Sequence, residues 1–363
     1  MAMSARVSNR HALSDPRNRI DFRVRLTILT APARQSIATR ANITGHFTWG
    51  EILLQLDGPE LARRLVRSTL IERLERAFAS DGATPVRQRY ELGGGSVGKT
   101  LLVMPGWRTN GGIGVKLVTV FPDNALRSLP AVHACYILFD ADTGEPRAML
   151  DGNELTLRRT GAASALAAKY LARADAQRLL MVGTGELAPH VILSHATVRP
   201  IKSVRIWGRR IEKAQEVAAA LQGHGFSVDA CSDLESGVAW ADIVSCATLS
   251  QAPLIEGRWL RPGQHLDLIG AFRPTMREAD DAAIRKADLY VDTRAGALVE
   301  AGELVQTLAA GVIQPSDIRG ELSELARGTV PGRTSPDALT LFKSVGTAIE
   351  DLAAAELAVE ALS

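Results

Sequence analysis

The stretch Arg178-Leu179-Leu180-Met181-Val182-Gly183-Thr184-Gly185-Glu186-Leu187-Ala188 decides the fold. Arg178 to Val182 reads as a buried strand, and the glycines turn the chain into a helix that opens at Leu187. In that context G-x-G-x-x-A is a dinucleotide fingerprint. Gly183 makes the tight turn, Gly185 lets backbone N–H groups approach a pyrophosphate, and Ala188 lets helix and strand pack closely. Thr184, Glu186 and Leu187 complete the loop. Glycine pairs at such turns also serve geometry alone, so the next strand is the arbiter. It ends in Trp207-Gly208-Arg209-Arg210, with glycine where an NAD site places Asp or Glu. Cations at a helix start oppose the macrodipole, and two forked guanidiniums match a 2′-phosphate. The pair Arg209 and Arg210 therefore predicts NADPH as cofactor, with NADH as the second option.

Working outward, strand and helix alternate after residue 175. Strands are expected at Ser203–Trp207, Phe226–Ala230, Ile243–Cys246, His265–Ile269 and Leu289–Val291, with helices at Leu187–Thr197 and Ile211–Leu221. Alternation of this kind means crossover units on a parallel sheet, an α/β fold of the doubly wound Rossmann type. Upstream, Leu61–Phe78 and Thr160–Ala174 read as helices, and Arg87–Glu91, Thr100–Met104, Val115–Phe121 and Ala134–Asp140 as strands. The Ala-rich tail, Leu339–Leu362, reads as helix.

Composition narrows the function classes. Lys plus Arg number 42 and Asp plus Glu 40, so the net charge of +2 gives no electrostatic case for nucleic acid. No apolar run reaches the ~18 residues of a membrane span. Cys135, Cys231 and Cys246 are scattered and odd in number, which suggests a reducing, cytoplasmic setting. No HExxH occurs, and no metal is expected. Residues 1–50 form an Arg-rich extension with only Asp15 and Asp21 as acids. It resembles a transit peptide in composition, but composition alone is weak evidence of targeting, and the expected reading is an upstream extension without a fixed fold.

Gly93–Thr100, GGGSVGKT, matches a P-loop letter for letter. A P-loop needs a strand before it and a long helix after it. Here Leu101, Leu102 and Val103 follow, and Pro105 would break a helix, so a hairpin tip is expected instead. Three cations stand out: Arg87 after Pro85, Lys116 in the β-branched run GVKLVTVF, and Arg159 in LRRTGAAS. A buried lysine needs a partner, whereas an edge-strand lysine can snorkel to solvent.

Taken together, PVR, MPGW, GVKLVTVFPDN, LRRTGAAS, VGTGELA, IWGRR, LIGAFRPTMREAD and LFKSVGTAIEDLA resemble the ornithine cyclodeaminase/mu-crystallin family, from about Leu56 onward. The resemblance implies a Rossmann domain over 161–334, and an α/β substrate-binding and dimerisation domain over 51–160 and 335–363. It implies that Arg87, Lys116 and Arg159 hold a substrate carboxylate, that Thr248 and Ser344 neighbour the nicotinamide, and that the protein is a homodimer. Family members that eliminate ammonia carry an Asp where this chain has Phe272, and a phenyl ring cannot shuttle protons. The expected activity is therefore NADPH-dependent reduction of a cyclic imino acid, Δ1-pyrroline-2-carboxylate or Δ1-piperideine-2-carboxylate, to L-proline or L-pipecolate. Lys116 would be the catalytic cation and Phe272 an aromatic wall for the ring. The alternatives are an NAD-dependent ornithine cyclodeaminase and a catalytically silent NADPH-binding protein.

Overall fold

The computed structural model describes residues 5–6, 25–26, 53–93, 98–109 and 111–360. Residues 1–52 form a unit of their own, in which β1 (Ala5–Arg6) pairs antiparallel with β2 (Arg25–Leu26). The rest of the predicted extension, and the interior of the glycine-rich tip at 94–97, lie outside the described residues.

In the second unit, from Leu53, the chain runs β3 (Leu54–Leu56), α1 (Gly58–Arg64), α2 (Arg67–Ala79), β4 (Gly82–Ala83), β5 (Gln88–Glu91), β6 (Thr100–Arg108), β7 (Ile113–Val120), β8 (Val132–Phe139), β9 (Pro146–Asp151) and α3 (Gly152–Leu171). It continues as β10 (Arg178–Val182), α4 (Leu187–Val198), β11 (Ser203–Trp207), α5 (Ile211–Ala220), β12 (Ser227–Cys231), α6 (Leu234–Trp240), β13 (Ile243–Cys246), β14 (His265–Leu268), α7 (Asp281–Lys286), β15 (Asp288–Val291), α8 (Arg294–Glu300), α9 (Gly302–Ala309), β16 (Ile318–Glu321), α10 (Leu322–Arg327), β17 (Thr340–Lys343) and α11 (Ala348–Glu360).

Two sheets result. The 8-stranded sheet has the order β12-β11-β10-β13-β14-β17-β15-β16, and every pairing in it is parallel. Its order reverses between β10 and β13, which opens a crevice at their carboxyl ends. The 7-stranded sheet has the order β3-β9-β8-β7-β6-β4, with β5 also on β6, and is antiparallel except for β3 on β9. The α/β class read from the sequence is the one observed. β5 and β6 are antiparallel partners, so GGGSVGKT joins a hairpin and has no helix after it.

Helix α3 joins the two sheets. Asp151 caps it, its carboxylate accepting from the Asn153 and Glu154 N–H groups at 2.8 and 2.9 Å. Its alanines let other elements approach on several sides, among them α2, α4, α11 and strands of both sheets. Gly161 is needed at the crossing with α4, because a Cβ there would stand 2.8 Å from the His190 carbonyl oxygen.

The tail departs from expectation. Thr340–Lys343 is not helical but is β17, fully buried between β14 and β15, and only Ala348–Glu360 is helix. A short buried apolar run carries no periodicity that separates strand from helix. The helical stretch expected over Leu61–Phe78 is likewise two helices, broken at Leu65 and Val66. Of residues 335–363, β17 belongs to the parallel sheet, while α11 packs on α2, α3 and β6.

Candidate active site

At the head of the crevice, β10 delivers Gly183 into a conformation that only glycine adopts easily, φ +126°. A Cβ there would stand 2.5 Å from the Ala247 carbonyl oxygen, so the turn also depends on close backbone approach. The Gly183 N–H donates to the Trp207 carbonyl at 2.9 Å, tying the ends of β10 and β11 together. Gly185 faces open space. Thr184 and Glu186 follow the strand, Leu187 opens α4, and Ala188 is buried beneath it. Backbone room and a helix start at a topological switch point suit a pyrophosphate. A Cβ at Gly208 would meet Thr184 Cγ2 at 2.6 Å, so a side chain at this position would require Thr184 to shift. Arg209 and Arg210 stand exposed immediately before α5. Thr248 is half-buried beyond β13, and Ser344, beyond β17, donates its N–H to the Leu268 carbonyl at 3.1 Å.

The structure brings the three predicted cations together. Lys116 is only 2% exposed, so the snorkelling alternative does not hold. Its Nζ lies 2.8 Å from Asp351 Oδ1 and 3.3 Å from Thr156 Oγ1. Arg159, 4% exposed, donates from Nη1 to Glu350 at 2.5 Å, and its Nε lies 2.9 Å from Asp351 Oδ1. Arg87 pairs with Glu300 at 2.9 Å and donates to the Val345 and Gly346 carbonyls at 2.5 and 2.8 Å. All three meet on the segment from Val345 to Asp351. Gly346 is fixed there by φ +83° and by Arg159, whose Nη1 would stand 2.6 Å from a Cβ.

Asp292 clamps the same segment from below, accepting the Val345 and Gly346 N–H groups at 2.7 Å each. A small cavity opens beside Arg87, lined by Thr84, Val86, Met104, Gly296, Glu300 and Thr347 among others. Lys116 and Arg159 are not among the residues that line it.

The electrostatics follow from burial. Desolvation, and then the neighbouring Arg159 charge, push Lys116 down to about 8, against the pull of Asp351. Burial alone would weaken the Arg159 charge, but Asp351 and Glu350 outweigh it and hold the guanidinium firmly protonated. Burial pushes Glu350 up to about 7 despite Arg159, and raises Asp292 and Glu300 as well. Asp351 Oδ2 is buried without a hydrogen-bond partner in the protein, and Arg159 Nε, although ion-paired to Asp351 Oδ1, makes no well-aligned hydrogen bond. They leave polar capacity beside Lys116 for a ligand or a solvent molecule.

Phe272 is not part of this cluster. It is 37% exposed after β14, with its ring 5.9 Å from the Arg273 guanidinium, and it does not line the cavity beside Arg87. Sequence reading missed the acids Asp292, Glu300, Glu350 and Asp351. The signal for the last two was present, since two adjacent carboxylates interrupt an otherwise apolar helical face in TAIEDLAAA.

Comparison with known proteins places the chain among NAD(P)H-dependent relatives. A Δ1-pyrroline-2-carboxylate reductase from Paracoccus denitrificans is 42% identical over 254 residues, 70% of this chain and 80% of its own. The solved Δ1-pyrroline-2-carboxylate reductase of Thermococcus litoralis, in complex with NADH and L-proline, superposes with a TM-score of 0.81 at 32% identity, covering 85% of this chain and 97% of that one. An archaeal alanine dehydrogenase dimer with bound NAD superposes with a TM-score of 0.79 at 29% identity, covering 85% and 95%. The sequence profile described as "Ornithine cyclodeaminase/mu-crystallin family" matches residues 60–363, and with the cation cluster, the glycine loop and the two-sheet architecture in place, the chain belongs to that family.

Proposed function

We propose that this protein is an oxidoreductase that uses NADPH to reduce a cyclic imino acid, Δ1-pyrroline-2-carboxylate or Δ1-piperideine-2-carboxylate, to L-proline or L-pipecolate. The observation that carries the reading is the buried Lys116–Arg159–Asp351 cluster next to Arg87. Arg87 and Arg159 recognise the substrate carboxylate and so orient the C=N carbon toward the crevice. Lys116, lowered to about 8, is protonated at neutral pH yet gives up its proton readily, which suits it to supply the imine nitrogen. The nicotinamide cofactor supplies the hydride when bound. The related reductases named above act on, or are solved with, molecules of this class. Phe272 leaves no acid at the position where ammonia-eliminating relatives carry one, which speaks against an ornithine cyclodeaminase.

Cofactor binding is assigned to the parallel sheet with Gly183, Thr184, Gly185, Glu186, Leu187, Ala188, Trp207 and Gly208, and with Thr248 and Ser344 at the nicotinamide end. Arg209 and Arg210 take the 2′-phosphate. Substrate binding and assembly are assigned to the antiparallel sheet. Outward-facing Leu101, Val103, Val115, Leu117 and Ile137 in β6, β7 and β8 stay only half-buried and align across the strands in an apolar face. A face of this kind supports a homodimer. The test is NADPH consumption with each imino acid, run beside ammonia release from L-ornithine with NAD. Imine-dependent consumption without ammonia supports the proposal. Ammonia release would make the protein a cyclodeaminase, and cofactor binding without turnover would make it a silent binding protein.

A further inference from the structure

The segment Arg273–Asp280 has no assigned role, yet it carries a buried carboxylate held by three donors beside the crevice. Glu278 is fully buried. Its Oε1 accepts from the Thr248 backbone N–H at 2.6 Å and the Thr248 hydroxyl at 2.8 Å. Its Oε2 accepts from the Gly270 N–H at 2.7 Å. One carboxylate therefore joins the loop beyond β13 to the loop beyond β14. Both loops leave the carboxyl ends of their strands, beside the switch point where Ala247 presses on Gly183. Gly270 is part of the joint, since a Cβ there would stand 2.0 Å from the Thr248 carbonyl oxygen and 2.4 Å from Glu278 Oε1.

The main chain of Glu278 is fixed independently. Its carbonyl accepts from the Leu254 and Ile255 N–H groups at 2.9 Å each, and its N–H donates to Glu303 Oε1 at 2.7 Å. The carboxylate is thus free to do one thing, which is to set the spacing of two loops.

We propose that Glu278 is the positioning residue of the nicotinamide end of the site: its ionised carboxylate holds the Thr248 and Gly270 loops at the separation the ring requires, and its protonation releases them. This rests on the cofactor placement under Proposed function. Three donors converge on the ionised form, and protonation would set an O–H against one of them.

Three charged or titratable neighbours face the group. Glu303 on α9 opposes its charge, Lys343 on β17 supports it, and Cys246 at the end of β13 is pushed up partly by the Glu278 charge itself. Burial, eased by Lys343 and reinforced by Glu303, raises Glu278 to about 7. The joint is therefore tight above neutrality and loosens as the pH falls through 7.

The experiment is a titration of NADPH fluorescence with the purified protein at several pH values, without any imine. For the natural protein the dissociation constant should rise as the pH falls through 7. Glu278→Gln substitutes an amide N–H₂ for one acceptor, so binding should weaken roughly 10-fold or more at pH 8 and lose its pH dependence. Glu303→Gln keeps the joint but removes the like charge, so its acid limb should move to lower pH. This second variant reads the proposal even if the first does not fold. A folded Glu278→Gln protein with unchanged affinity and pH profile would overturn the proposal, as would an acid limb that ignores Glu303→Gln. Cofactor binding with the expected pH dependence but no imine reduction would sink the activity reading and leave this one standing.

Discussion

Replacing Asp351 by Asn tests the active-site electrostatics most directly. The change is isosteric and leaves an oxygen within reach of Lys116, but it removes the charge that holds the lysine protonated. Lys116 falls from an ordinary 10.5 to about 8, so at pH 7 its burial already costs about 3 kcal/mol at ~1.4 kcal/mol per unit. Without Asp351 the lysine falls further, and once it drops below 7 it enters the fold neutral. That caps its cost near 5 kcal/mol at pH 7, so the added loss through Lys116 is about 1–2 kcal/mol. The full 3–5 kcal/mol of a stranded buried charge does not develop, because the group can shed its proton.

Arg159 cannot do so, but it keeps Glu350. The sign is the reverse of a surface lysine's. Because the folded value is depressed, the unfolded chain binds the extra proton between pH 8 and 10.5, and the natural protein gains stability from this group as the pH rises through that window. In the variant the gain begins at lower pH. Denaturant unfolding at pH 7 and 9, together with kcat/KM for imine reduction against pH, gives the readout. A basic limb near 8 in the natural protein should move down by a unit or more in Asp351→Asn. An unmoved limb, or a stability loss of 5 kcal/mol, would refute the assignment of the proton to Lys116.

Arg209→Ala should raise the KM for NADPH about 10- to 100-fold and leave NADH nearly untouched, the worth of one or two charged hydrogen bonds to phosphate; equal effects on both cofactors would remove the 2′-phosphate assignment. Gly346→Ala should cost about 1–3 kcal/mol in an unfolding titration and lower kcat/KM, because the new methyl meets both a left-handed backbone and the Arg159 guanidinium. Ile137→Glu, on the half-buried outer face of β8, should yield a folded monomer by light scattering; an unaltered oligomer would place the contact elsewhere.

Much of the parallel sheet was legible because runs such as Leu179–Val182 and Ile243–Cys246 are apolar, whereas β16 (Ile318–Glu321), whose apolar run is interrupted by Arg319 and Glu321, was not read. Ser203–Trp207 and Ile243–Cys246 are found within the bounds the sequence implies. β17 was hidden for the opposite reason. TLFK is a buried run too short to show a period, and it abuts a long Ala-rich helix that extends its apparent pattern. The cation cluster was legible in part: a lysine among β-branched residues signals a buried partner, but the partner's identity depends on a fold that brings residue 351 to residue 116. Phe272 was readable as a missing acid, yet its exposure and distance from the cavity depend on the turn after β14, which no spacing rule encodes.

The position of β17 governs the order in which the molecule can be completed. It follows every other strand in chain order, yet it is inserted between β14 and β15 rather than added at an edge. As the chain emerges during synthesis, β10 to β14 can assemble their crossovers early, whereas β15 and β16 have no neighbour on the β17 side until Thr340–Lys343 arrives. Until then two strand edges are open to pairing with other chains. The residues that close the gap lead directly into Gly346, Glu350 and Asp351. Completion of the sheet and assembly of the charged cluster are thus one event, and a chain cut short before residue 340 forfeits both.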